Sequence, residues 1–355
     1  MNHLILYCRA GFEKECAAEI AAATASAGRN GYVKTKAETG YVIFTMNEKG
    51  GISPSFGIPF SGLIFCRQIF AAFDEITGLP PHDRVSPCIK ALKHHAICVD
   101  EVVVETADTD EAKQILPFCR SFAHHFQKAM VNEGMLIPEK GQRKTGLRLH
   151  LFFLSSDRVY MGISETINSS PFYMGIPRLK FPKDAPSRST LKLEEAFFVF
   201  LSQHERDNYL KQGMTAVDLG ASPGGWTYQF VRRNIYVTAI DNGPMDKSLM
   251  QTELVNHIKT DGFTYVPKGT SEWMVCDIVD QPMRIAKLVG KWIQEGWCHH
   301  TIFNLKLPMK KRYDEVKLCE GVIREMLNST GIRYKLSIKQ LYHDREEVTG
   351  FITTI

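Results

Sequence analysis

No two of the nine cysteines are spaced Cys-x-x-Cys, and their count is odd. That supports neither a metal site nor a disulfide framework, so we expect scattered core thiols. No apolar run approaches the roughly 18 residues of a membrane span. The opening stretch MNHLILYCRAGFEKE has too short an apolar run for a secretory leader and no early basic cluster, which leads us to expect a cytoplasmic protein. Excess charge is also small, +4 overall. What remains is an ordinary globular composition, 44% hydrophobic, in a 355-residue chain long enough for two or three domains.

The small net charge is unevenly placed. Residues 139–192 hold ten Lys or Arg against four Asp or Glu, a local excess of six positive charges, and the rest of the chain sums to −2. Such a belt points to a docked polyanion, with Arg143 and Lys144 in the loop GQRKTG as phosphate contacts. The competing reading is a solvated surface with extra lysines.

In chain order, residues 3–8 read as a strand, 12–23 as a helix and 40–46 as a strand, while 61–73 are a helix or a strand–helix junction. This gives a small α+β unit of ferredoxin-like type over residues 1–76. The GLPPHD stretch reads as a linker. A second α+β unit covers residues 84–166. It has a strand at 97–106 and a long helix at 111–135 with Ile115, Phe118, Phe122, Phe126 and Met130 near one face. A hairpin of 147–154 with 159–163 follows, Arg148 and His150 on its second face. The Phe stripe reads as core packing, not a base-stacking platform. Four prolines between 171 and 186 mark residues 167–186 as a linker.

Residues 187–355 carry the fullest pattern. Strands are expected at 216–219, 236–241, 273–278 and 301–307, with helices at 191–201, 225–234, 284–295 and 314–327. Two more strands, 333–341 and 347–355, close the chain. This is an α/β pattern: a doubly wound, mostly parallel sheet with an antiparallel hairpin at its edge. The stretch AVDLGASPGGWT (216–227) organises it as strand end, glycine-rich turn and helix start, where backbone can approach a ligand. The turn is neither Gly-x-Gly-x-x-Gly nor a Gly-Lys-Ser/Thr loop, so a dinucleotide or nucleoside triphosphate is disfavoured. Carboxylates recur instead at strand ends, at Asp218, Asp241 and Asp277, with Asp261 in a turn between. They suit a ligand with ribose hydroxyls, an adenine amine and a sulfonium, a description met by S-adenosylmethionine. Taken singly, each Asp is as readily a turn residue.

Methyl transfer to a ribose hydroxyl needs a positioned base. Lys306 ends the strand FNLKLP, Asp277 ends its neighbour, Lys192 lies on the helix entering the domain, and Glu346 and Glu347 open the last strand. Lys192 and partial burial would lower the pKa of Lys306, and Asp277 would oppose them. A lone strand-end lysine is usually solvated, and it is Asp277 and Lys192 in the same domain that favour a site. Lys310, Lys311 and Arg312, just past that strand, read as phosphate contacts. Cys276 would suit a cytosine-C5 nucleophile, but strand alternation points it away from the face of Asp277.

These residues carry a resemblance. DLGASPGGW, the run SRSTLKL at 187–193, Asp277, Lys306 and the late Glu-Val resemble the FtsJ-type 2′-O-ribose methyltransferases, whose Lys-Asp-Lys-Glu set falls on Lys192, Asp277, Lys306 and Glu347. NLKLPMKKRY and LYHDREEVT extend the similarity over the whole chain, to the branch of that family acting on large-subunit ribosomal RNA. The resemblance implies a Rossmann-like, S-adenosylmethionine-dependent methyltransferase domain at 187–355, preceded by ferredoxin-like and THUMP-like RNA-binding domains. It implies 2′-O-methylation of a cytidine in 23S ribosomal RNA or a large-subunit precursor, with Lys306 as proton acceptor. Cofactor contacts carry over to Ser189, Ser222, Pro223, Gly224, Gly225, Asp241, Asp261 and Asp277. A monomer without metal or membrane partner is expected. Where the family has Glu-x-Tyr, this chain has Glu347-Val-Thr349 preceded by Glu346, and either glutamate can face the site. The alternatives are base methylation, for which no Asp/Asn-Pro-Pro-Tyr/Phe run exists, methylation of another RNA, and a non-catalytic RNA-binding assembly factor. The intact glycine loop and the Lys-Asp-Lys-Glu set argue against the last.

Overall fold

The structure, a computed structural model, describes residues 3–47, 57–137 and 144–355. Arg143 lies outside the described residues. The chain divides into two compact units, Met1–Ile176 and Pro177–Ile355, and the division falls within the linker expected at 167–186.

The first unit contains β1 (His3–Tyr7), α1 (Glu13–Ser26), β2 (Gly31–Lys34), β3 (Tyr41–Met46), β4 (Gln68–Ile76), α2 (Val85–His95), β5 (Glu101–Glu105), α3 (Asp110–Lys113), α4 (Leu116–Asn132), β6 (Leu147–Ser155) and β7 (Arg158–Glu165). Its strands form one sheet in the order β2-β3-β1-β4-β7-β6-β5. The four strands from β2 to β4 pair antiparallel, with α1 crossing between β1 and β2, which is the ferredoxin-like arrangement. The two α+β segments expected from the sequence are joined edge to edge, β4 pairing with β7 and Ala71 lying opposite Ile163.

Local chemistry explains the departures from expectation. Residues 61–73 hold a single 3₁₀ turn, Phe60–Gly62, and then the start of β4. The long helix expected at 111–135 is two helices, because Pro117 has no backbone N–H to continue a helix and sits instead in the first turn of α4. Phe122, Phe126 and Met130 are buried core residues. Two arginines of the basic belt are engaged within this unit. Buried Arg148 donates to Glu101 Oε2 at 2.7 Å, and Arg158 donates to Glu75 Oε1 at 2.7 Å. His150, also buried, bonds Ser164 at 2.8 Å and stacks on Phe70.

The second unit contains α5 (Thr190–Phe200), α6 (Gln203–Tyr209), β8 (Thr215–Leu219), α7 (Gly225–Val231), β9 (Tyr236–Ile240), α8 (Lys247–Met250), β10 (Val255–Ile258), β11 (Ser271–Cys276), α9 (Pro282–Gln294), β12 (Cys298–Lys306), α10 (Arg312–Asn328), β13 (Tyr334–Lys339) and β14 (Glu347–Thr354). The sheet order is β10-β9-β8-β11-β12-β14-β13. The first five strands are parallel, and β14 runs antiparallel to both β12 and β13. Trp273 on β11 is fully buried against Phe197 of α5 and Phe230 of α7, ring centroids 5.7 and 6.1 Å away. Burying each Phe contributes about 1.5–3 kcal/mol and seats both helices on the sheet. The chain leaves β8 outward to β9 and β10, then returns to β11 on the other side. Strand order therefore reverses between β8 and β11, where an open α/β sheet leaves a crevice beyond its carboxyl ends.

Among the described residues no helix is long and apolar enough to cross a membrane, and no cluster of His, Cys, Asp and Glu could hold a metal ion. The nine cysteines are free, and Cys276 is buried.

Candidate active site

The crevice is lined from four strand ends. Gly220 follows β8, Asp241 follows β9, Asp261 and Gly262 lie beyond β10, and Asp277 follows β11, around a cavity of about 340 Å3, within the range of small-molecule sites. Backbone amides aim the acids: Asp241 accepts from the N–H of Ser222 at 3.0 Å and of Gly243 at 2.7 Å, and Asp261 from Phe263 N–H at 3.0 Å. Among the described residues no Lys or Arg lines the cavity. Acceptors without cations suit hydroxyls, amines and a positive centre, and repel a phosphate. Gly220 and Gly262 both back onto Ile278. A Cβ on either would come within 2.8 or 2.9 Å of its side chain and push it out of the cavity wall.

One expectation about this loop changes. Asp218 is not at the ligand edge. It is buried within β8, where Thr227 Oγ1 donates to it at 2.6 Å and straps β8 to α7. Burial, with the charges of Asp277 and Asp241 adding to it, pushes its carboxyl up to about 7 against the Thr227 hydrogen bond. The turn glycines serve packing. Gly224 has a φ of +115°, and a Cβ there would collide with Leu249; one on Gly225 would collide with the hydroxyls of Ser187 and Ser189, which bond each other at 2.5 Å. Ser222 lines the cavity, and Pro223, Gly224, Gly225 and Ser189 form the turn and helix starts beside it.

Asp277 also belongs to a ring of charges. Its Oδ1 accepts from Lys306 Nζ at 2.7 Å, and its Oδ2 lies 3.4 Å from Lys192 Nζ. Glu347 closes the ring, Oε2 on Lys306 and Oε1 on Lys192. Two ammonium groups and two carboxylates thus alternate, and their charges sum to zero. Strand register builds half of this. Lys306 is directly opposite Glu347, and Asn304 directly opposite Thr349, so the period of two puts all four on one face. The same alternation settles which glutamate faces the ring: Glu347 does, and Glu346 pairs outward with Arg312 at 2.5 Å.

The Lys306 amine does not have the lowered pKa expected from the sequence. Burial works in that direction, but Asp277 and Glu347, by charge and hydrogen bond, outweigh it and hold the amine above its ordinary value. The reason is the second carboxylate, which the sequence reading left out of the balance.

Sequence reasoning missed the groups that support the ring. Asn304 Nδ2 donates to Asp277 Oδ1 at 2.8 Å and lies 3.5 Å from Glu347 Oε2. Thr349 Oγ1 bonds Asn304 Oδ1 at 2.8 Å and lies 3.0 Å from buried Asp344. Glu195 on α5 accepts from the backbone N–H of Tyr342 and His343 at 2.7 and 2.9 Å, fastening the helix that carries Lys192 to the β13–β14 loop. One signal was available: Asn304 sits two residues before Lys306, between the apolar Phe303 and Leu305.

Of the expected RNA contacts, Lys144 in the first unit is exposed, as are Lys310 and Lys311 after β12. Arg312 is engaged with Glu346 and with Pro308 O at 3.3 Å.

Three family models match the chain: "RlmM ferredoxin-like domain" at residues 1–70, "Ribosomal RNA large subunit methyltransferase M, N-terminal" at 83–165, and "FtsJ-like methyltransferase" at 185–319. The chain is 50% identical to the ribosomal RNA large subunit methyltransferase M of Cellvibrio japonicus over 353 residues, 99% of each protein. It is 48% identical to that of Klebsiella pneumoniae subsp. pneumoniae over 98% of this chain and 95% of the relative. Among solved structures, TrmN from Thermus thermophilus aligns over the full length of both chains with 10% identity and a TM-score of 0.36.

Proposed function

The chain belongs to the ribosomal RNA large subunit methyltransferase M family, and from that premise we propose that it methylates the ribose 2′-hydroxyl of a cytidine in 23S ribosomal RNA, using S-adenosylmethionine. The observation that carries the proposal is the double membership of Asp277, which lines the acid cavity and also grips Lys306. A donor site and a base therefore meet at one carboxylate.

The cavity fits the cofactor. Asp241 has lone pairs left for ribose hydroxyls, Asp261 can accept from an adenine amine beside the apolar wall of Ile278 and Val279, and Asp277 suits a cationic centre. Ser222 and the turn at 223–225, with Ser189 behind it, would hold the methionine end. Bound there, the cofactor supplies an electrophilic methyl group on a positively charged sulfur. Lys306 takes the proton of the 2′-hydroxyl as the new oxygen–carbon bond forms and the sulfur–carbon bond breaks, its electron pair leaving on sulfur as a neutral thioether. Asp277 and Glu347 fix the position of its amine, and Lys192 balances their outer oxygens. Because those carboxylates raise the amine's pKa, its reactive neutral form is a minor species at pH 7 and grows about tenfold per pH unit. Lys144, Lys310, Lys311, Arg312 and Arg143 serve as phosphate contacts. We place the protein in the cytoplasm, acting as a monomer on 23S ribosomal RNA or a large-subunit precursor.

Incubation of the purified protein with methyl-labelled S-adenosylmethionine and a 23S ribosomal RNA transcript tests this. Label should appear in one ribose-methylated cytidine, and Lys306→Ala should slow its appearance by about 10²–10⁴-fold. Label on a base, or none in RNA despite intact cofactor binding by the wild-type protein, overturns the proposal.

A further inference from the structure

The geometry points to Asn304 as a positioning residue for the methyl-transfer site, held in its working orientation by the hydroxyl of Thr349. This inference rests on the proposed reaction. Lys306 Nζ and Asn304 Nδ2 share their two acceptors: both reach Asp277 Oδ1, at 2.7 and 2.8 Å, and both face Glu347 Oε2. Four atoms therefore alternate as donor, acceptor, donor, acceptor. A side-chain amide has two N–H donors on its nitrogen and only acceptor capacity on its oxygen. Turned over, Asn304 would present its oxygen to two carboxylates and repel them. Its orientation is therefore part of the site.

Thr349 sets that orientation. Its Oγ1 lies 2.8 Å from Asn304 Oδ1, and a hydroxyl has one proton to give. Given to Asn304 Oδ1, that proton excludes the turned-over amide, which would put N–H against O–H. Asp344, whose Oδ2 accepts from Leu341 N–H at 2.9 Å, is the other acceptor within reach of the Thr349 hydroxyl, at 3.1 Å from Oδ1 and 3.0 Å from Oδ2. Burial, and then the charge of Glu347, push the Asp344 carboxyl well above its ordinary value, which favours the form that leaves the Thr349 proton to Asn304. Hydrogen bonds run one way from Thr349 through Asn304 to the two carboxylates, and chains of this kind polarise each other.

The consequence falls on the Lys306 proton. Each carboxylate oxygen beside Lys306 divides its charge between the amine and the Asn304 amide. Without the amide donor, both oxygens rest on Lys306 alone, hold its proton more strongly and let its head group swing. Other charged groups facing this cluster are Lys192 and Glu195 on α5, and Asp218 in β8, whose charge acts on Asp277. None of them contacts the Asn304 amide among the described interactions, so their effect is common to wild type and variant.

Single-turnover methylation of a 23S ribosomal RNA transcript, followed from pH 6.5 to 9.5 with both substrates saturating, tests the assignment. Asn304→Leu and the near-isosteric Thr349→Val should each lower the rate by about ten- to a hundredfold at every pH while keeping the tenfold-per-unit climb, since a higher Lys306 pKa moves a profile without a plateau straight down. Affinities for cofactor and RNA should stay at wild-type values. Thr349→Ser, which restores the hydroxyl, should return the rate. A Thr349→Val enzyme with wild-type rate overturns the inference. So does a Thr349→Ser enzyme as impaired as Thr349→Val, which would mean that shape and not the hydroxyl matters. If Asn304→Leu does not fold, the Val and Ser pair at 349 decides alone. A wild-type protein that methylates no RNA refutes the proposed function itself, an outcome distinct from wild-type behaviour in the variants.

Discussion

Replacing Asp218 by Asn should change how the second unit's stability depends on pH, by an amount that follows from its burial. In the unfolded chain this carboxyl titrates near 3.8, and in the fold at about 7. Below pH 3.8 both states hold the proton and its position is immaterial. Above it the unfolded chain ionises while the folded chain does not, so stability falls by about 1.4 kcal/mol per pH unit until the folded group also ionises. Roughly three units give a total loss of about 4 kcal/mol, of which about 3 kcal/mol falls between pH 5 and pH 8. Asn keeps an acceptor for Thr227 and does not titrate. The variant should therefore gain about 3 kcal/mol on the wild type across that interval, other titrations being common to both. All four tryptophans, at 226, 273, 292 and 297, lie in the second unit, so their fluorescence in urea follows that unit alone. With a slope of about 1–3 kcal/mol per molar urea, the gap between the two midpoints should widen by roughly 1–3 M from pH 5 to pH 8. Parallel curves would show that the buried carboxyl is charged throughout, and would refute the argument from burial.

Lys306→Ala should lose about 10²–10⁴ in single-turnover rate while keeping cofactor and RNA affinity, and Lys306→Arg should be equally inactive because guanidinium keeps its proton. A near-normal Arg variant would assign the base elsewhere. Between pH 6.5 and 9 the wild-type rate should climb about tenfold per unit without a plateau, since both carboxylates raise the amine's pKa; levelling near pH 7 would mean that another group supplies the deprotonation. Asp241→Ala should weaken S-adenosylmethionine binding about ten- to a hundredfold in calorimetry, and unchanged affinity would remove it from the site. Lys144→Ala, and Lys310→Ala with Lys311→Ala, should each weaken RNA binding and reduce its salt slope by about one per lost phosphate contact, with cofactor affinity unaltered. Slopes at the wild-type value would make these lysines plain surface.

The strands around the site are legible because buried parallel strands are apolar runs: SEWMVC and TIFNL announce β11 and β12. Short polar elements are not, and VNHI of β10 and QHERDNY of α6 pass unread for want of periodicity. Pro117 is visible in the sequence, yet the apolar stripe runs through it and conceals the break. Pairing across distance is the larger gap. Nothing in residues 71 or 163 says that they lie side by side, because period tells a face and not a partner. At the site, Lys192, Asp277, Lys306 and Glu347 stand out only together and by resemblance. Asn304 hides between Phe303 and Leu305, and Thr349 looks like a lost tyrosine until its register with Asn304 is seen. Gly224 is recognisable as a special backbone position, but its neighbour Leu249, twenty-five residues on, is not.

The pairing of β4 with β7 also sets a clock during synthesis. Ala71 meets Ile163 only after about 90 further residues are made, which at roughly 5–20 residues per second takes about 5–20 s. Throughout that interval β4 can lie against β1, but its other edge has no strand to bond. That edge carries Phe70, Ala71, Ala72 and Phe73, an open apolar template of the kind that recruits a strand from another chain. Successive ribosomes on one message, staggered along it, carry nascent chains that expose this same edge in overlapping intervals. A chain cut between residues 76 and 158 would keep that edge permanently, so its fate depends on whatever covers β4 in place of β7.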